Sequence, residues 1–364
     1  MKRILHVIST LEQGGTEAVV LNYFNHIDND KIFFDFLVIW GDKKGYYEDY
    51  LLSKGCKIFK MENSPKKFFK HGRELKRFFK TQNYDTVHIH AMSSLRYRVA
   101  KAAKKSGVKT VIYHSHNSAN GTHQLYHKLL KSRLNKWCDY KFACSTAAGK
   151  YMYNGLFDVL NNAIDIRHFS FNENYRSELK HKFGLEENIV IGNVGRLTEV
   201  KNQQFLLKLA SYLESRINNY VIFCIGEGEQ RSNLERYIKE NALDKHVILA
   251  GTVGTEMYKY YSLFDCLAFP SHFEGLSMVL MEAQANGLPI VASDKLSGEH
   301  KVTENFKFLP IDENEENYVS WAEAISSLCN KRTNNAVTLA EAGFDIEIEA
   351  KKLQGFYLRL PDKV

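Results

Sequence analysis

Short apolar runs alternate with amphipathic segments along almost the whole chain, and the alternation breaks off once and then restarts. Strand-like runs at 3–9, 33–40, 57–61, 85–90, 109–114 and 140–144 are interleaved with helix-like segments at 16–26, 46–54, 66–81, 94–106, 123–137 and 146–154. This βαβα order predicts a parallel sheet covered by helices on both faces. From Val159 to Phe171 the period is lost and the chain reads as a connection. It then resumes with strands at 188–194, 219–225, 246–250, 266–269 and 289–292 and helices at 202–215, 229–241, 255–263 and 277–286. The fold class expected is α/β, with two doubly wound, Rossmann-like domains facing a central cleft of the kind ligands favour. The domains are expected at 1–168 and 169–340, and residues 341–364 carry a terminal helix, Glu341 to Leu360, packing back toward the first domain.

Two loops of the second array carry most of the chemistry. Gly195-Arg196-Leu197 follows the apolar run Ile189 to Val194, and Lys201 lies just ahead of the helical run Phe205, Leu206, Leu209 and Leu213. Ligands of doubly wound sheets bind at the carboxyl ends of strands. Two fixed cations beside a helix N-terminus suit a diphosphate there. The second loop, Phe273-Glu274-Gly275, follows the strand Cys266 to Phe269, and Glu282 stands eight residues after Glu274 on a helix that Ser277 can cap. Two acceptor-only side chains toward one crevice suit a polyhydroxylated ligand, since a carboxylate accepts both hydroxyls of a ribose diol through charge-assisted bonds. Either loop alone reads equally well as charged surface complementing a helix dipole. Together, in order, after two strands of one array, they describe a sugar-nucleotide pocket.

The rest of the sequence narrows the class. No apolar stretch approaches the roughly 18 residues of a membrane span. Met1-Lys2-Arg3 before Ile4 to Ile8 superficially resembles a secretion signal, but the run ends at Ser9 and turns through glycines, so it reads as a first strand. Six cysteines without Cys-x2-Cys spacing read as reduced core residues of a cytoplasmic protein. Residues 1–165 hold 27 Lys and Arg against 14 Asp and Glu, whereas the remainder has a net charge of −6. A basic first half implies an anionic partner: nucleic acid, a membrane surface or a phosphorylated acceptor.

On these loops the chain resembles the retaining glycosyltransferases of glycosyltransferase family 4, with the GT-B fold, which build bacterial capsules, exopolysaccharides and lipopolysaccharides. The family's Glu-x7-Glu motif matches Glu274 and Glu282, its Gly-Arg…Lys motif matches Gly195, Arg196 and Lys201, and its N-terminal Gly-Gly loop matches Gly14 and Gly15. Gly226-Glu227-Gly228, Asn162 to Asp165, Gly251 and the tract from Glu282 to Ser293 are weaker echoes. The loop Lys295-Leu296-Ser297-Gly298-Glu299-His300 departs from the family's glycine-rich pattern, which puts its acceptor or phosphate contacts in question.

The resemblance implies a hexosyltransferase (EC 2.4 class) whose donor, a UDP-sugar by family frequency, binds chiefly to the C-terminal domain. Arg196 and Lys201 would hold the diphosphate, Glu282 the ribose hydroxyls, and Glu274 with Gly275 the sugar ring. Leu276, Ser277 and Met278 would offer backbone N–H groups to phosphate. Gly226 and Gly251 would line the nucleotide, and Gly14 and Gly15, lacking Cβ atoms, would let the N-terminal backbone approach donor or acceptor. His116 aligns best with the family's active-site histidine, with His114 on the same strand face as the competing alignment; His88 and His90 form a second alternate pair near a strand end. The family's usual account is a front-face reaction in which the leaving phosphate helps deprotonate the acceptor. No cofactor is expected besides the co-substrate. The chain has one Asp-x-Asp, Asp28-Asn29-Asp30, in a surface-like turn after a helix, so metal-independent catalysis is expected.

Acceptor features fall in the basic half. Residues 65–81 place Phe68, Leu75 and Phe79 near one helical face, with seven Lys and Arg largely elsewhere. That is an amphipathic helix packed on its own sheet with a solvated basic rim, or a face for anionic lipid headgroups. A lipid-diphosphate-linked saccharide is the expected acceptor, with the enzyme peripheral at the inner face of the plasma membrane. Three rival readings stand beside this one. A Rossmann oxidoreductase needs Gly-x-Gly-x-x-Gly after the first strand, which Thr10 to Gly15 does not supply. A GT-B epimerase or hydrolase of UDP-sugars would share the architecture, and a nucleic-acid-binding protein would need a binding module absent here.

Overall fold

The computed structural model describes residues 1–61, 68–117 and 124–361. Its chain divides into two compact units, residues 1–163 with 345–364, and residues 164–344. In the first unit β1 (Lys2–Ile8), β2 (Ile32–Val38), β3 (Ile58–Lys60), β4 (Thr86–Ala91), β5 (Thr110–Ser115), β6 (Tyr140–Ala143) and β7 (Asp158–Val159) form one sheet. Its order is β3-β2-β1-β4-β5-β6-β7, with every pair parallel. β1, β2, β4 and β5 are buried along most of their length, as parallel strands covered on both faces are. The order reverses between β1 and β4, the place where doubly wound sheets open a ligand crevice.

The second unit repeats the plan. Strands β8 (Ile189–Val194), β9 (Tyr220–Ile225), β10 (Val247–Gly251), β11 (Cys266–Phe269), β12 (Ile290–Ser293) and β13 (Phe306–Leu309) lie in the order β10-β9-β8-β11-β12-β13, again all parallel. The helix Gln203–Glu214 buries Phe205, Leu206, Leu209 and Leu213 against Ile222, Trp321 and Ile325. Each such side chain contributes about 1.5–3 kcal/mol by leaving water. The indole of Trp321 donates to the Pro310 carbonyl (2.7 Å), so the largest buried ring has no orphan N–H.

Five elements differ from the periodicity. β7 has two residues paired with Phe142 and Ala143, inside what reads as connection. The helix Glu173–Phe183 buries only Leu179, so no apolar stripe announces it; its ends are marked by Asn172, which accepts from the N–H groups of Asn174 and Tyr175, and by Gly184 at φ 65°. β13 and the helix Glu315–Leu328 extend the second unit beyond the last strand expected. The terminal helix runs from Ile346 to Arg359 rather than from Glu341, because Asp345 caps it through the Glu347 N–H.

That terminal helix belongs to the first unit. Lys2 Nζ donates to the carbonyls of Tyr357 (3.1 Å) and Leu360 (2.6 Å), and the Asp28 N–H donates to Gln354 Oε1 (2.8 Å). Tyr357 is fully buried against Phe34 and His6. In the basic helix, Phe68–Gln82, Leu75 and Phe79 are buried while Arg73, Lys76, Arg77 and Lys80 are exposed. The Phe68 side chain lies outside the described residues. No helix among the described residues is long and apolar enough to cross a membrane.

Candidate active site

Loops after β8 and β11, the neighbours at which the second sheet reverses direction, bring the sequence-derived residues together. The Lys201 ammonium pairs with the Glu274 carboxylate, both side chains being largely buried, and sits 5.5 Å from the centre of the Phe269 ring. The two loops are also tied through backbone, with the His272 N–H donating to the Val200 carbonyl (2.8 Å). Arg196 is exposed, its guanidinium facing solvent while its carbonyl accepts from Gln203 Nε2 (3.2 Å). Gln203 is buried and also donates to Asn193 Oδ1, and Asn193 in turn donates to the Ala268 carbonyl (2.8 Å). This polar chain under the loop, missed in the sequence, holds the β8 and β11 ends in register. Its one signal is Asn193, a polar residue inside an apolar strand.

The helix Met278–Ala285 begins at this site, and here one expectation needs correcting. Ser277 does not offer its backbone N–H outward: that group donates to Nε2 of buried His300 (3.2 Å), whose Nδ1 bonds the Ser297 carbonyl (2.9 Å). Burial holds the His300 pKa below its ordinary value, so the ring is a neutral acceptor. Gln284 completes the brace, accepting from the N–H groups of Val302 (2.9 Å) and Thr303 (3.0 Å) and donating to the His300 carbonyl (2.9 Å). The atypical loop 295–300 thus serves as a strut for the helix mouth. Met278 remains at the first turn, while Gly275 and Leu276 form the approach to it.

Glu282 lies on the same helix and accepts from the Tyr261 hydroxyl (2.6 Å). Burial pushes its pKa up from 4.5 to about 7, against the Tyr261 hydrogen bond, which lowers it. A carboxyl raised in the folded state favours folding below its unfolded pKa, and that contribution is lost as pH rises through 7. Glu282→Gln is therefore expected to stabilise the ligand-free protein by about 3 kcal/mol at pH 8 and about 2 kcal/mol at pH 6. Denaturant titrations at the two pH values measure this. An equal gain at both would remove the assigned cause.

Glycines stitch the loop after β9 onto the arginine loop. The N–H groups of Gly195, Leu197 and Gln230 bond the carbonyls of Ile225 (2.9 Å), Glu227 (3.0 Å) and Leu197 (3.0 Å), and the Gly226 N–H bonds the Gly251 carbonyl (2.8 Å). A Cβ on Gly226, at φ 140°, would stand 2.0 Å from the Gly195 carbonyl oxygen. Gly226→Ala should consequently cost about 3 kcal/mol or more, since neither backbone can yield without breaking the stitches. An unchanged melting temperature would contradict this.

Gly14, Gly15 and His116 belong to the first unit, at the carboxyl ends of its strands. The Glu17 carboxylate, which accepts from Thr10 Oγ1 (2.8 Å), folds so closely over Gly14 that a Cβ there would meet it at 2.4 Å, whereas nothing stands within 4 Å of a Cβ on Gly15. Arg96 ties the ends of β1 and β4 by donating to Ser9 Oγ and to the His90 carbonyl (2.9 Å). Asp28 of the Asp-x-Asp pairs with Lys31 (2.8 Å) at the surface.

Parallel registers set His6 opposite His88 and His90 opposite His114, so five histidines share one sheet face with His116 just past β5. Nδ1 of His6 lies 2.9 Å from Nε2 of His90, and Nδ1 of His90 lies 2.9 Å from Nε2 of His116. His88 Nδ1 bonds the Tyr357 hydroxyl (2.6 Å). His114 makes no regular side-chain hydrogen bond among the described residues, and of the two it is the more buried. Burial pulls all five pKa values down, to about 3 for His6 and for His116, where Arg96 adds to the effect. Two trios, His6-His88-His90 and His90-His114-His116, have ring nitrogens within 4.8 Å of one another.

Comparison with known proteins places these two units. A family model described as "Glycosyltransferase Family 4" matches residues 13–167, and one described as "Glycosyl transferases group 1" matches residues 176–344. The chain is 30% identical to the putative glycosyltransferase EpsF of Bacillus subtilis, over 98% of this chain and 96% of that protein. It is 25% identical to the UDP-Gal:alpha-D-GlcNAc-diphosphoundecaprenol alpha-1,3-galactosyltransferase of Escherichia coli, over 98% and 96% of the two chains. The crystal structure of Anabaena Alr3699/HepE in complex with UDP and glucose superposes with a TM-score of 0.78 at 18% identity, covering 99% of this chain and all of that one.

Proposed function

The chain belongs to the glycosyltransferases, a family 4 unit joined to a group 1 unit with the GT-B fold, and from this we propose that it is a retaining, metal-independent hexosyltransferase using a UDP-sugar. The acceptor we assign is a lipid-diphosphate-linked saccharide of a cell-surface polysaccharide. The observation that supports the donor half is the Lys201–Glu274 pair on the loops at the reversal point of the second sheet, with Arg196 on the same loop as Lys201 and half-buried Glu282 on the helix that follows Glu274. Fixed cations take the place a divalent metal would have on the departing diphosphate. Lys201 has three donors, so it can hold a phosphate oxygen while keeping Glu274 oriented toward the sugar. His116, at the end of β5, is assigned to the donor sugar. The acceptor reading is supported by the basic first half and by the diphosphoundecaprenol-linked acceptor in the name of the Escherichia coli relative.

The test is transfer itself. Purified protein is incubated with UDP- and GDP-sugars and a lipid-diphosphate-linked N-acetylhexosamine, with and without EDTA, and the new anomeric centre is assigned by NMR. An axial linkage from an axial donor, undiminished by EDTA, is expected. Inversion, or activity abolished by EDTA and restored by a divalent ion, would refute that part of the reading. Release of UDP at full rate without acceptor would favour an epimerase or hydrolase instead. A covalent glycosyl-enzyme trapped on Glu274 would replace the front-face account with double displacement. The exposed basic face of the helix Phe68–Gln82 is assigned to anionic headgroups; no flotation with anionic liposomes at low salt would remove that assignment.

A further inference from the structure

We propose that His6 and His90 are positioning residues which lock His116 in its Nδ1–H tautomer, so that His116 presents a neutral hydrogen-bond donor at the carboxyl end of the first sheet. The proposal deepens the assignment of His116 to the donor sugar and rests on it.

The three rings form one line. His6 Nδ1 meets His90 Nε2, and His90 Nδ1 meets His116 Nε2, each at 2.9 Å with both partners buried. A neutral imidazole carries one N–H and one lone pair. Two such contacts through one ring can therefore be polarised in only two ways. Running outward, His6 donates to His90 and His90 donates to His116, which keeps its own proton on Nδ1. Running inward, His116 donates from Nε2 and the last proton is stranded on His6 Nε2.

The inner end decides between them. His6 Nε2 is buried with no partner, beside the Phe34 ring at 3.9 Å between centroids and the Phe36 ring at 6.0 Å. An orphaned buried N–H is rarer than an under-satisfied acceptor, so the outward direction leaves the cheaper lone pair among the phenylalanines. The outer end is open to use. His116 follows Ser115, the last residue of β5, retains the greatest exposure of the five rings at 7%, and its Nδ1 has no hydrogen-bond partner among the described residues. In isolation an imidazole prefers its proton on Nε2. The line of rings reverses that preference.

Protonation is blocked from every side. Tyr357 meets His88, Arg96 bonds the His90 carbonyl and its charge opposes one on His116, and Glu17 faces Arg96 rather than a ring. No carboxylate is hydrogen-bonded to His6, His90 or His116 among the described residues. A metal ion explains the trios less well. His90 belongs to both, yet both of its nitrogens are already bonded, and its ring lies nearly parallel to those of His6 and His88, 15° and 16° apart.

The experiment is nitrogen-15 NMR of the full chain labelled at histidine, at pH 7.5, with His116 assigned by the signals lost in His116→Gln. The expected spectrum has His116 protonated on Nδ1 and bare on Nε2. His90→Asn, whose amide N–H can stand in for Nδ1, should keep that pattern and most of the turnover. His90→Leu should return His116 to Nε2–H and lower kcat by roughly 10- to 100-fold, with the donor KM within about twofold, because a transition-state contact is lost rather than uniform binding. If His90→Leu fails to fold, the wild-type spectrum still decides. His116 protonated on Nε2, doubly protonated at pH 7.5, or shifted as metal-bound imidazole would overturn the proposal. If the Nδ1–H pattern is found while His116→Ala keeps full turnover, the assignment of His116 to the sugar fails and the tautomer lock stands alone.

Discussion

Replacing Lys201 with alanine is expected to lower kcat roughly 100- to 1,000-fold, the loss seen when one preorganised group facing developing charge is deleted. On the proposed reading the departing diphosphate would then have Arg196 as its neighbouring cation, and Arg196 is exposed and screened by solvent. The fold should survive, because Lys201 sits in a loop and buries no core. Its removal does strip Glu274 of its counter-ion, and Glu274 retains only 11% side-chain exposure. A destabilisation of about 1–3 kcal/mol is therefore expected. Pairing the change with Glu274→Gln separates the two consequences. The double variant should recover its melting temperature and remain inactive. Near-wild-type turnover by Lys201→Ala would sink the diphosphate assignment.

The second large effect is acid lability. Five histidines on one face of the first sheet are held neutral by burial, so their pKa values in the folded protein lie below the ordinary 6.5. Above pH 6.5 both states are neutral at these sites and nothing is at stake. As pH falls, the unfolded chain takes up protons the native chain refuses, and stability declines until the folded pKa values are reached, about 3 for His6 and His116. At pH 5.5 each such ring favours unfolding by about 1 kcal/mol, and the five together by several kcal/mol, a large part of the stability of many domains. Denaturant midpoints should fall steeply between pH 6.5 and 5.5, first in the unit holding residues 1–163. A flat profile there would mean that the rings titrate normally.

Much of the architecture is legible before any coordinates, and the illegible parts have physical reasons. The β8 and β11 loops are found because Gly195, Arg196, Lys201, Glu274 and Glu282 are local signals after unmistakable apolar strands. Local signals end where burial is slight: the helix Glu173–Phe183 has one buried residue and β7 has two residues in all. The same holds for contacts across sequence. That His300 takes the Ser277 N–H depends on a loop 23 residues away, and no spacing rule connects them. His114 and His116 cannot be told apart by strand period, which puts both on one face. In the structure their contacts differ: β4 pairs His90 with His114 across the sheet, whereas the ring that meets His90 Nδ1 is that of His116.

The return of the terminal helix to the first unit sets an order of events at the ribosome. Residues 1–163 emerge first, yet Tyr357 packs on Phe34, His6 and His88, and Lys2 donates to the carbonyls of Tyr357 and Leu360. The intervening unit, residues 164–344, has its own core and is synthesised entirely before that helix exists. The earlier-made half is thus the later-finished one, and its unpaired tyrosine acceptor and apolar face wait through the synthesis of the other. Translation stalled between residues 344 and 345 would leave one completed unit and one unsealed.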